Sequence, residues 1–231
     1  MPLKNIRIDP AVAANFPDAR IGWMIADVTV TPSHPYADEL KAGLASDLAR
    51  RGITDENLTK QPDIAGWREV YGKMGAKPSK FRSSLEALAR RVLKGKEVWS
   101  VSSVVDLYDA ASVLTFLAMG AHDTANVDGD MVLRYCREGE KFYPLGAEPG
   151  SEIVDTDPRN IAYADNDKIC CWLWNHRDIR LATVTEATTE AVFIVDSGFT
   201  PHTTTISDGL EILAGHLEQI GCKPRERGIV G

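Results

Sequence analysis

Near Gly120 the hydrophobic pattern of this chain changes period, and that change decides its fold class. Upstream, Leu40, Leu44 and Leu48 recur every four residues, and Leu85, Leu88, Ala89, Val92 and Leu93 follow the i, i+3, i+4, i+7, i+8 spacing of one helical face. Val104, Leu107, Tyr108, Ala111 and Thr115 make a third such stripe. Downstream come short strand-like runs at residues 131–136, 142–143, 152–154, 168–173, 181–184 and 191–196. Turn residues part them: Asp128-Gly129-Asp130, Glu138-Gly139-Glu140, Leu145-Gly146 and Asp165-Asn166-Asp167. Helices grouped ahead of strands predict an α+β fold, with mixed or antiparallel sheets, helices on one side, and a single compact unit.

The end signals sharpen these elements. Ile21 to Thr31 reads as a buried strand stopped by Pro32. Pro35, Asp38 and Glu39 suit the start of the next helix, and Arg50, Arg51 and Gly52 its close. Ser83 and Glu86 form a capping box, Gly95 is a stop, and Arg90, Arg91 and Lys94 are expected to face solvent. A helix from Ser103 to about Ala118, capped by Ser102 or Ser103, is apolar almost all round and so expected to be buried. On it Asp106 and Asp109 stack at i, i+3, where burial demands partners or raises a pKa. Ile206, Leu210, Leu213, Leu217 and Ile220 predict a docked last helix ending at Gly221. The expected layout is an extension over 1–19, the main unit over 20–200, and the last helix within 201–231.

Several function classes are set aside. The chain has 231 residues and is 44% hydrophobic, the size and apolar content of a globular protein. Its apolar runs, such as Val192-Phe193-Ile194-Val195, are far short of a bilayer span, so no membrane partner is expected. Residues 1–18 carry no signal pattern, and a cytoplasmic location is the expectation. Cys136, Cys170, Cys171 and Cys222 lack C-x-x-C spacing and read as reduced core thiols. The histidines show no H-x-x-x-H, so neither a metal site nor a cofactor is expected. Dinucleotide, P-loop and serine-elbow motifs are absent.

Charge is unevenly spread. Residues 66–96 hold nine Lys and Arg against Glu69 and Glu86, a local +7 in a chain of −7, which leaves −14 elsewhere. Lys77, Lys80, Arg82, Arg90, Arg91 and Lys94 are therefore the candidate phosphate-contacting surface, the plain alternative being a solvated helix face.

Ordered motifs carry a resemblance. They are Trp67-Arg68-x-x-Tyr71 with Gly75, the run from Lys77 to Leu88, Val105-Asp106-Leu107-Tyr108-Asp109, Met119-Gly120-Ala121-His122-Asp123, Gly129-Asp130 with Val132-Leu133-Arg134, and Trp174-Asn175-x-Arg177. Over about residues 20–200 the chain resembles the B3/B4 module of the phenylalanyl-tRNA synthetase β subunit and its free-standing relatives. In the synthetase that module edits wrongly charged aminoacyl-tRNA, so the resemblance implies editing in trans, with a charged tRNA 3′ end as partner rather than DNA. The synthetase pattern reads Val-Asp-x-Thr-Asn and then His-Ala-Phe-Asp. Here Tyr108 and Asp109 stand at the Thr and Asn positions, Gly120 at the His position and His122 at the Phe position. Trp174 and Asn175 replace glycines, and Asp196 lies near a family acidic residue, which implies an amino-acid preference other than tyrosine.

Ester hydrolysis needs a positioned water, a proton acceptor and oxyanion donors. His122, with Asp123 holding its imidazole, is the candidate base; the alternative is a loop histidine beside a turn-forming Asp. Asp109 and Asn175 are the other candidate catalytic groups, Asp106 a structural acceptor. Trp174, Arg177, Asp123 and Asp196 are candidate substrate contacts. Trp174 also suits the core, since it shares a strand face with Trp172, and Arg177 also suits an ion pair with Asp178 or Asp196. The leading expectation is a metal-free aminoacyl-tRNA deacylase acting on mischarged tRNA; a non-catalytic tRNA- or amino-acid-binding module, and a hydrolase of another small acyl ester or amide, are the alternatives.

Overall fold

A computed structural model describes residues 3–145 and 153–231. In chain order it contains β1 (Ile6–Ile8), α1 (Pro10–Asn15), β2 (Arg20–Asp27), α2 (Pro35–Arg50), α3 (Pro62–Lys73), α4 (Ser84–Leu93), α5 (Ser103–Thr115), β3 (Ala118–Asp123), β4 (Met131–Tyr135), β5 (Lys141–Phe142), β6 (Val154–Asp155), β7 (Ile161–Ala164), β8 (Ile169–Trp172), β9 (Arg177–Asp178), β10 (Glu190–Ser197), α6 (Ile206–Gln219) and β11 (Lys223–Val230). One sheet runs β11-β2-β10-β3, antiparallel throughout. The other runs β1-β4-β7-β8-β9 and is mixed, because β1 pairs with β4 in parallel. The fold is α+β.

Alternation along the strands sorts their side chains into two cores. Met24 and Ala26 of β2, Met119 and Ala121 of β3, and Phe193 and Val195 of β10 meet α2, α5 and α6. The opposite faces, with Ile21, Ala118, Val192 and Ile194, join the core shared with the five-stranded sheet. Close approach of α6 requires glycine: a Cβ at Gly22 would lie 2.6 Å from Ile206 Cγ2, and one at Gly209 2.3 Å from Leu117 Cδ1. Leu210, Leu213 and Leu217 then bury fully, each worth about 1.5–3 kcal/mol.

Several expectations need correction. The strand expected over Ile21 to Thr31 is β2 and ends at Asp27, because the chain leaves the sheet so that the Thr31 carbonyl accepts the Ser103 N–H at 2.8 Å. The helix from Ser103 stops at Thr115, where Phe116 turns left-handed at φ 60° and frees Ala118 to enter β3. Residues 180–182 form a 3-10 turn in place of a strand at 181–184. Trp172 and Trp174 do not share a face: Leu173 and Trp174 have φ of 52° and 63°, so alternation ends with β8. Gly129 and Gly139 do supply left-handed turns, at φ 77° and 72°. Gly146 and Glu152 lie outside the described residues.

Candidate functional site

A cavity of about 230 Å³ opens where the two sheets meet the start of α4. One wall is the inner face of β3 and β10, where Ala118, Gly120 and His122 stand opposite Asp196, Ile194 and Val192 in register. The other wall is Tyr163, Cys171 and the chain from Trp174 to Asp178, and Ser84 of α4 closes the rim. Gly120 faces open space, since a Cβ there would meet nothing within 4 Å.

Asp196 anchors the floor. It is 2% exposed and accepts from Tyr163 OH at 2.9 Å and Asn175 Nδ2 at 3.1 Å, while Tyr71 OH donates to Asn175 Oδ1 at 3.0 Å. Burial pushes the Asp196 carboxyl up to about 7, against the lowering effect of the Asn175 and Tyr163 hydrogen bonds. The left-handed pair Leu173 and Trp174 aims Asn175 at this carboxylate, a conformation costing on the order of 1 kcal/mol per residue. Edge-on contacts with Phe16 at 5.4 Å and Trp67 at 5.5 Å hold Trp174 in place. Trp172 instead packs on Phe142 and donates to Asn160.

His122 is 3% exposed. Burial lowers its pKa, so the ring is neutral at physiological pH. Its ring hydrogen-bonds the Ala182 carbonyl, whereas Nδ1 is buried with no partner among the described residues. Assigning the proton to the nitrogen that faces the carbonyl leaves Nδ1 an unpaired acceptor, itself buried beneath the cavity surface.

Asp123 does not hold that imidazole. Adjacent residues of a strand point to opposite faces, and the Asp123 carboxylate accepts from Ala125 N at 2.9 Å and Thr188 Oγ1 at 2.8 Å. Asp109 also lies outside the cavity lining, on α5, partly buried. Burial, then repulsion by Asp106 and Asp178, raises it to about 8. Asp106 is a structural acceptor, taking the Val101 N–H at 2.8 Å and pairing with Lys41. Arg177 is exposed at the cavity mouth, with no ion pair to Asp178 or Asp196 among the described residues.

The six candidate cations divide. Lys77 and Lys80 are exposed on the loop before α4, and Arg82 shares that loop, whose carbonyl at Arg82 accepts from the cavity-lining His176 at 2.7 Å. At the other end of α4, Arg90 does not face open solvent: it bonds Glu86 at 3.1 Å and Asp55 at 2.7 Å. The expected capping box is half formed. Ser83 Oγ accepts the Glu86 N–H at 3.2 Å, but the Glu86 carboxylate, 1% exposed, serves Arg68, Arg90 and Arg82. Arg91 lies 4.2 Å over the Trp99 ring and Lys94 is exposed.

Sequence reasoning gave no role in the site to Tyr71, Tyr163, Asp178 or His176, although Tyr71 stood in a quoted motif and Asp178 as a possible ion-pair partner. Tyr163 carried a signal: a tyrosine in the apolar run Ile161–Ala164 needs a partner for its hydroxyl when buried. The partner, Asp196, was legible only through the fold.

A family model described as the B3/4 domain matches residues 66–209. No curated protein matches the chain in sequence. Among solved structures, an N-terminal fragment of the phenylalanyl-tRNA synthetase β subunit from Pyrococcus horikoshii is similar with a TM-score of 0.47 and 10% identity. The match covers 98% of this chain and 50% of that fragment, so the chain spans half the length of its structural neighbour.

Proposed function

Because the chain belongs to the B3/4 domain family, we propose that it receives the charged 3′ end of a tRNA in the inter-sheet cavity and hydrolyses the aminoacyl ester of a mischarged species. The observation that carries this reading is a single cavity lined by neutral His122 and by the hydrogen-bonded Asn175–Asp196 pair. A neutral imidazole acceptor takes a proton from water as it attacks the ester carbonyl, then returns one to the leaving ribose oxygen. Asp196, charged above its pKa near 7, offers an anion to the α-ammonium group, with Asn175 fixing its orientation. Trp174 walls the aminoacyl side chain, and Arg177 at the mouth suits the terminal ribose or its phosphate. Lys77, Lys80 and Arg82 suit the next phosphates, positioning the RNA without reading its sequence.

A binding-only module is the second reading, favoured because the Asn175 carbonyl and one amide N–H are already engaged and Asp109 stands away from the cavity. Incubation with a panel of tRNAs charged with near-cognate amino acids separates the two. Hydrolysis above the spontaneous rate with at least one is expected; no acceleration with any leaves only the binding reading. Gly120→Val is the matching control, since its side chain enters open space and so occupies the cavity while the fold stays intact.

A further inference from the structure

We infer that Trp99, Lys94 and Lys96 form a second RNA contact, a stacking platform for an unpaired nucleotide upstream of the one in the cavity; this deepens the tRNA-end reading and rests on it. Trp99 is 51% exposed and Val101 59%, an unusual outlay of apolar surface on a loop. The loop itself is fixed. Lys96 N–H bonds the Arg91 carbonyl at 3.1 Å, Val98 is buried at 3% exposure, Ser100 Oγ accepts from Lys41 at 2.8 Å, and Val101 N–H bonds Asp106. The indole is thus held outward by ordered backbone on both sides.

Its two faces differ. The Arg91 guanidinium covers one at 4.2 Å, and Arg91 is itself held by the Glu97 carbonyl. That arrangement leaves a ring already polarised by a cation, with its free side available to a nucleobase. Lys94 and Lys96 are exposed and pair with no carboxylate among the described residues, and Glu97 is the one acidic side chain between Lys94 and Val101. On a chain of −7, this end of the +7 stretch suits a polyanion better than an acidic or neutral protein partner.

Distance gives the register. Ser84 lines the cavity and Lys94 caps the far end of the same helix. Ten residues at 1.5 Å rise separate them by about 15 Å, a span of a few nucleotides. A strand whose terminal residue enters the cavity and follows α4 therefore reaches the Lys94 end of the helix, five residues before Trp99, within a few nucleotides.

The test is binding of uncharged tRNA to the full chain, with and without its unpaired 3′ nucleotides, by anisotropy titration over a salt series. Trp99→Ala is expected to weaken binding of intact tRNA about tenfold or more and to leave the truncated tRNA unaffected, whereas Trp99→Phe keeps most of the affinity. Lys94→Ala with Lys96→Ala is expected to flatten the log K against log salt slope by about 1.4. Unchanged thermal unfolding checks that each variant is folded. Affinity of Trp99→Ala equal to wild type overturns the platform while leaving deacylation intact. Loss of tRNA affinity in Trp99→Ala, with no hydrolysis of any charged tRNA, upholds the platform and rejects the deacylase. Absence of tRNA binding by the wild type rejects both. A dimer that becomes a monomer in Trp99→Ala, with unchanged RNA affinity, assigns the face to a second copy and overturns the inference.

Discussion

At the scale of single residues, burial has different electrical results at three groups, two in the cavity lining and one outside it. His122 is kept neutral, Asp196 is brought to about 7, and Asp109, outside the cavity, to about 8. His122→Gln removes the proton acceptor yet keeps a polar side chain of similar size, and is expected to slow single-turnover deacylation about a hundredfold or more with little change in tRNA affinity. Asp109 gives a stability test. Its native carboxyl holds a proton that the unfolded chain releases, so its contribution is full below about pH 4 and is lost as pH rises through about 8. Asp109→Asn is therefore expected to match wild type near pH 4 and to melt higher at pH 9, by about 2–4 °C for each kcal/mol relieved. Melting curves that run parallel at both pH values refute this. The residue types of the site were readable as chemistry; their partners were not. Asp123 beside His122 looked like its support, but a strand sends neighbours to opposite faces, and once Gly120 opened β3 the decision passed to the pleat.

At the scale of elements, α4 joins stability to the proposed recognition of RNA. Its start supplies Ser84 to the cavity rim, and its buried Glu86 gathers Arg68, Arg82 and Arg90, which fixes the cationic loop against α3. Glu86→Ala leaves those guanidinium groups clustered without their counter-charge and is expected to destabilise by about 3 kcal/mol, read as a lower urea midpoint at constant m. Helices α2, α4, α5 and α6 were legible because their stripes repeat at 3.6 residues over many turns. The strands that build the site were less so. β3 reads Ala-Met-Gly-Ala-His-Asp, with no β-branched residue, and β11 carries Lys223, Arg225, Glu226 and Arg227. Each is a strand because a neighbour offers backbone partners, β10 to one and β2 to the other, which overrides local propensity.

At the scale of the whole molecule, a chain of −7 concentrates a local +7 over residues 66–96, so the proposed approach of RNA is directional. Raising salt is expected to lower kcat/KM for charged tRNA steeply while kcat changes little, because the screened contacts act before chemistry. Equal loss in both parameters counts against phosphate contacts at Lys77, Lys80 and Arg82. The four-stranded sheet has a separate consequence. Its strands come from residues 20–27, 118–123, 190–197 and 223–230, and β2 finds both of its neighbours in the last quarter of the sequence. During synthesis on the ribosome β2 waits unpaired until β10 emerges. The nascent chain thus has no enclosed hollow for most of its elongation, and a premature stop before residue 190 yields a product with an open β2 edge, a candidate for chaperone capture rather than partial activity.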